Sequence, residues 1–144
     1  DELKSLLEGR LDYRESAASV NFNLCLSHLN SKPPDQDQAK YFYKKAIEAD
    51  KTYGCEFNNY GIIYQQKGKT RKAQEEYEKF LALDDENPFI LTGLGYLSLW
   101  RKQKNEAALR FFEKVLSSAP LNASALFGKA IGLMGRKKYS EAEV

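Results

Sequence analysis

Residues 55–85 read CEFNNYGIIYQQKGKTRKAQEEYEKFLALDD, with Gly61, Tyr64, Gly68, Ala73 and Tyr77 at helical spacing. That spacing predicts a helix, a tight turn at Gly68 where glycine tolerates a left-handed backbone, and a second helix. The same residue types return at a fixed interval along the chain. Ala39, Ala73, Ala107 and Ala142 lie 34, 34 and 35 residues apart, while Tyr43, Tyr77 and Phe111 lie 34 and 34 apart. Gly61, Gly95 and Ala130 keep steps of 34 and 35, as do Phe57, Leu91 and Leu126. Small residues recur where small ones sat and aromatics where aromatics sat, so the chain is a tandem repeat.

On these residues the sequence resembles the tetratricopeptide repeat family over about residues 19–144. That family's pattern is an aromatic, Leu-Gly and Tyr in the first helix, then Ala, an aromatic and a late Pro in the second. The central repeat supplies Phe57, Tyr60-Gly61, Tyr64, Ala73 and Tyr77, with Asp85 where proline is commonest. The next supplies Leu91, Leu94-Gly95, Ala107, Phe111 and Pro120, and departs from the pattern at Ser98. A fourth supplies Leu126, Ala130, Leu133, Tyr139 and Ala142. The resemblance implies an all-α fold of antiparallel helix–turn–helix pairs stacked as a right-handed solenoid. The expected layout is an N-terminal helix over 1–15, repeats over 16–53, 54–87 and 88–121, and a fourth over 122–144 that stops within its second helix. The first helix of the first repeat is degenerate, and Pro33-Pro34 ends it. Gly61 with Ala73 and Gly95 with Ala107 are expected where paired helices cross closely.

Composition narrows the function classes. The chain has 144 residues, 42% hydrophobic and 29% charged, which suits one folded domain rather than a disordered chain. A net charge of +2 is too small for general attraction to nucleic acid, and no apolar run is long enough to span a bilayer. Lacking an initiator methionine, the chain reads as a piece of a longer protein. Cys25, Cys55 and the single His28 make no disulfide framework, metal motif or catalytic constellation. No cofactor loop is present, Asn122-Ala123-Ser124 reads as a helix N-cap, and catalysis is not expected.

In the family, first helices line the concave face, where the partner usually lies. Carried over by phase, that rule implies a groove of Asn58, Asn59, Ile62, Gln65 and Gln66 in the second repeat. The third adds Phe89, Thr92, Tyr96, Leu99 and Trp100, and the fourth adds Ser124, Phe127, Ile131 and Met134. Amides suit a peptide backbone, because each both donates and accepts, and exposed aromatics suit apolar anchors. The chaperone-tail binders of the family grip a terminal carboxylate with a five-residue Lys, Asn and Arg clamp. Only Asn59 matches it, since Asn23, Ser27, Phe89 and Gly93 stand at the other four positions, so that mode is excluded.

Charge is sorted along the edges. The turns within repeats carry Lys67, Lys69, Arg71 and Lys72, then Arg101, Lys102 and Lys104, then Arg136, Lys137 and Lys138. Glu48, Asp50, Asp84, Asp85 and Glu86 sit in the opposite connections. The basic set is expected at the C-terminal ends of first helices, where the macrodipole favours cations. The sequence thus points to a non-catalytic scaffold or adaptor that holds a protein or peptide segment in its groove. The alternatives are a self-associating structural module and a binder of anionic surfaces through the basic ridge. No compartment follows from the sequence.

Overall fold

The computed structural model describes residues 17–55, 61, 64–101 and 105–142, with side chains up to residue 138. Every regular element among them is helical, as the repeat pattern requires. The chain divides into two compact units, Asp1–Glu56 and Phe57–Val144.

In the first unit, helix α1 covers residues 17–29 and buries Ala18, Phe22, Cys25 and Leu29 along one stripe. It ends where the Asp35 amide donates to the His28 carbonyl at 3.0 Å and the Ser31 hydroxyl donates to the same oxygen at 2.8 Å. Helix α2, Gln36–Ala49, starts at Asp35, whose carboxylate accepts the Gln38 amide at 3.0 Å. It buries Ala39, Tyr43 and Ala46, while Phe42 stacks on His28 with ring centroids 5.4 Å apart. A short 3-10 turn, Lys51–Cys55, follows and brings Tyr53 against Phe22 at 5.4 Å. Hydrogen bonds from Thr52 hold the Asp50 carboxyl below its usual range at that turn.

The second unit begins with helix α3, of which Gly61 and residues 64–66 are described. Gly68 closes it at φ +69°, donating its amide to Gln65 O at 3.0 Å, while the Lys69 amide donates to Tyr64 O at 2.9 Å. This pair of bonds satisfies two helix-end carbonyls, and only glycine takes that φ without strain. Helix α4, Thr70–Leu81, buries Ala73, Tyr77 and Phe80. Helix α5, Pro88–Leu99, is capped by Asn87, whose side-chain oxygen accepts the Phe89 amide at 3.0 Å and the Ile90 amide at 3.3 Å. Proline at its first turn costs no hydrogen bond, since that amide would have no partner in the helix. Helix α6, Asn105–Ser118, and helix α7, Ala123–Ala142, complete the unit, and Asn122 caps α7 by accepting the Ala125 amide at 2.9 Å. α5 packs on α4, α6 and α7, and α6 also packs on α7, so the apolar α5 is surrounded.

The packing shifts two expected columns by one residue. In α6 the buried pair is Ala108 and Phe112, both fully buried, while Ala107 and Phe111 are half-buried. The step from Ala73 and Tyr77 is therefore 35, so the extra residue lies within the third repeat and not after it. In the fourth repeat Ala125 and Gly128 are buried, whereas Leu126 is 46% exposed and Ala130 is exposed. The ring of Phe112 explains the choice. A Cβ at Gly95 would lie 2.6 Å from it, and a Cβ at Gly128 would also strike it. Phe112 thus fills a slot that two glycines open from α5 and α7, just as Gly61 makes room for the ring of Tyr77. A second correction concerns the turn expected at Arg136–Lys138. α7 runs through it unbroken, because Arg and Lys are good helix formers and neither proline nor a positive-φ glycine interrupts them.

Candidate functional site

A cleft of about 350 Å³ opens in the second unit beside Tyr96. α5 forms its floor with Phe89, Thr92, Gly93 and Tyr96, and Pro88 stands at the edge. Gln65 comes from α3 and Tyr77 from α4, while Asn122 and Ser124 come from the start of α7. Helical spacing accounts for the floor, since Phe89, Thr92, Gly93 and Tyr96 are i, i+3, i+4 and i+7.

Tyr96 ties one wall to the start of α7 and to the core. The Tyr96 hydroxyl donates to Ser124 O at 2.7 Å, and its ring meets Phe112 edge-on at 5.1 Å. The Thr92 hydroxyl donates back to Pro88 O at 2.5 Å, turning its methyl outward from that bond. Burial pushes the Tyr77 phenol from 10.0 up to about 12, so it stays neutral in the wall. Among the described residues no charged side chain lines the cleft. Phe89, 49% exposed, is the apolar group most available to a visitor. The arrangement offers apolar contact plus neutral amide and hydroxyl groups, which suits an uncharged side chain and its peptide backbone.

A second cleft adjoins it, and a third adjoins the second. The second, about 520 Å³, shares Gln65 and adds Gln66, Gly68, Thr70, Leu97 and Trp100, the last 77% exposed. The third, about 760 Å³, shares Gly68 and Thr70 with that one and adds Tyr64, Lys69, Arg71, Lys72, Glu75 and Arg101. Here the expected macrodipole account holds for Lys69, which follows the Gly68 close of α3, but not for Arg71 and Lys72. Lys69 is the N-cap of α4 and makes no side-chain cap bond, and Arg71 and Lys72 lie in its first turn. Cations at a helix N-terminus oppose the dipole instead of complementing it. Glu75 draws Arg71 to 3.6 Å and Lys72 to 3.7 Å, and Arg101 donates to Gln74 Oε1 at 2.5 Å.

The groove residues inferred from phase are therefore distributed unevenly. Gln65, Phe89, Thr92, Tyr96 and Ser124 share one cleft, and Gln66 and Trp100 share the next. Leu99 turns instead toward the α6–α7 side, packing against the core cluster and near Gly132. Phe127 and Met134 are exposed and Ile131 half-buried along α7, and none of the three lines these clefts. Asn58, Asn59, Ile62, Lys102 and Lys104 lie outside the described residues. Of the remaining basic set, Arg136 pairs with Glu106 at 3.4 Å, and Lys137 and Lys138 are exposed on α7. Sequence reasoning missed Pro88, Asn122 and the edge of Tyr77 as cleft-formers. Pro88 and Asn122 had signals only as helix starts, and both helices begin at the rim.

Among the described residues no group of three His, Cys, Asp or Glu is placed to hold a metal ion. Among those residues, too, no helix is long and apolar enough to cross a membrane.

A family model for the tetratricopeptide repeat matches residues 42–75, a stretch one period long. The chain is 30% identical over 95 residues to protein O-mannosyl-transferase TMTC3 of Homo sapiens, a match covering 66% of this chain and 10% of that protein. It is 29% identical over 100 residues to the type IV pilus assembly protein PilF of Pseudomonas aeruginosa, covering 69% and 39% respectively. It is 34% identical over 117 residues to a TPR repeat-containing protein of Methanocaldococcus jannaschii, covering 69% and 20%. The chain thus spans between a tenth and about two fifths of these relatives' lengths. Helix pairs of 34–35 residues, glycine-seated aromatics and the matched family model place the chain in the tetratricopeptide repeat family.

Proposed function

We propose that this chain is a non-catalytic protein-interaction module that holds a segment of a partner protein in the Tyr96 cleft. Tetratricopeptide repeats generally mediate protein–protein interaction, and the Tyr96 cleft supports that role here. One observation carries the reading: Gln65, Phe89, Thr92, Tyr96 and Ser124, grouped by repeat phase, line one cleft that is uncharged among the described residues. In this role Phe89 supplies the apolar anchor contact, Thr92 and Ser124 flank the visiting chain, and the Gln65 amide addresses its backbone. Asn58 and Asn59 belong to the same proposed groove by phase. An affinity capture from cell extract, run in parallel with Phe89→Ala and Thr92→Glu variants, tests this. Loss of the captured partner with unchanged helical circular dichroism is the expected result, and equal capture by all three proteins would refute the assignment.

A second reading, self-association as a structural module, draws on α7. Its outer face exposes Leu126, Phe127, Leu133 and Met134. Light scattering across a concentration series separates the two, because a strictly monomeric chain contradicts self-association.

A further inference from the structure

Resting on the groove reading, we propose that the partner segment is acidic on one side of its apolar anchor, its carboxylates lying over the basic cleft at the α3–α4 turn. Three clefts form one track. Gln65 belongs to both the Tyr96 cleft and the Trp100 cleft, and Gly68 and Thr70 belong to both the Trp100 cleft and the basic cleft. A segment anchored beside Phe89 and extended past Gln65 and Trp100 runs toward the open basic cleft of Lys69, Arg71, Lys72 and Arg101.

The chemistry changes along that track. Among the described residues its first part carries no charge, and its last part sets Lys69, Arg71, Lys72 and Arg101 against the carboxylate of Glu75. The α4 dipole does not account for Arg71 and Lys72, because both lie in its first turn. Arg101 is held by Gln74, so one guanidinium is positioned before any visitor arrives. A carboxylate placed there meets cations and the positive end of the α4 dipole together. Trp100, the single tryptophan, stands between the two parts with most of its ring exposed. It offers a stacking surface at the crossing and reports on occupancy by its fluorescence.

A random peptide library displayed on phage and selected against the intact chain tests the proposal. The expected enrichment is an aromatic or aliphatic residue with Asp or Glu to one side of it, in peptides that perturb Trp100 emission. Selection against a Lys69→Glu, Arg71→Glu, Lys72→Glu variant should keep the apolar anchor and lose the acidic neighbours. Those substitutions complement the α4 dipole but set like charges beside Glu75, so the variant is used only if its helical circular dichroism and melting match the wild-type chain. Selection against Phe89→Ala should lose both features, since the anchor holds the acidic part in place. An anchor enriched without acidic neighbours, or acidic neighbours unchanged in the charge-reversed variant, overturns this proposal and leaves the groove reading standing. Acidic peptides retained by Phe89→Ala overturn the single track in favour of a separate polyanion surface. Enrichment of no apolar anchor by the wild-type chain overturns both readings.

Discussion

The Tyr96 cleft and the outer face of α7 both display aromatic and aliphatic side chains, yet they differ in what stands behind those groups. Phe89 is 49% exposed in a concavity with one wall tied by the Tyr96–Ser124 hydrogen bond and the Tyr96–Phe112 ring contact. Phe127 is 65% exposed on a helix surface and lines none of the three clefts. Exposure of apolar groups is common on folded proteins and marks no site by itself. Concavity with a tied wall distinguishes the first region, because a partner side chain placed there is enclosed at little ordering cost.

The comparison breaks most completely if the walls are removed. Gly128→Val puts a branched side chain into the ring of Phe112, which is fully buried and cannot withdraw, so loss of cooperative thermal unfolding is expected. Phe112→Ala empties the slot between Gly95 and Gly128 and should cost about 3–5 kcal/mol in denaturant titration. Both changes also take away the backing of Tyr96, so the cleft should be lost with them.

Alkaline pH acts on the same wall more gradually. Burial raises the Tyr77 phenol from 10.0 to about 12, and the Cys25 thiol of the first unit from 9.0 to about 12. Each group keeps its proton longer when folded than when unfolded. The stability linked to each is complete below the unfolded value and is lost as pH rises through about 12. Melting temperature should therefore fall above about pH 9–10, and Tyr77→Phe should flatten part of that fall. Cys55, half-buried, should react with a thiol reagent well before Cys25 does.

Smaller effects sharpen the comparison. Tyr96→Phe keeps the ring contact with Phe112 and deletes the bond to Ser124 O, at a cost of about 1 kcal/mol. Phe89→Ala and Phe127→Ala remove exposed side chains, so each should change stability by less than about 0.5 kcal/mol. The two should separate on binding, with Phe89→Ala weakening partner capture and Phe127→Ala leaving it intact.

The repeat was legible because each column is a packing requirement. Gly61 and Gly95 recur since rings press on them, and Ala39 and Ala73 recur since both are fully buried. The one-residue slip in α6 was not legible for an equally physical reason. Ala107-Ala108 and Phe111-Phe112 are doublets, so a step of 34 or of 35 finds the same residue types. Only the glycine pair around Phe112 decides between them, and Gly128 falls outside the column that the 35-residue step to Ala130 picked out. Phase also gathered Phe89, Thr92 and Tyr96, because one helix turn separates them. It could not separate Leu99 from that group, nor show that α7 carries Phe127 and Met134 away from the clefts, since both depend on how neighbouring helices sit.

Site-specific photo-crosslinking tests the central claim most directly. A photoreactive phenylalanine analogue is placed at position 89 in one protein and at position 127 in another, and each is irradiated in cell extract. Covalent adducts with a discrete partner from position 89, and none from position 127, are the predicted result. Adducts from position 127 alone, or adducts of the chain with itself, would contradict the account.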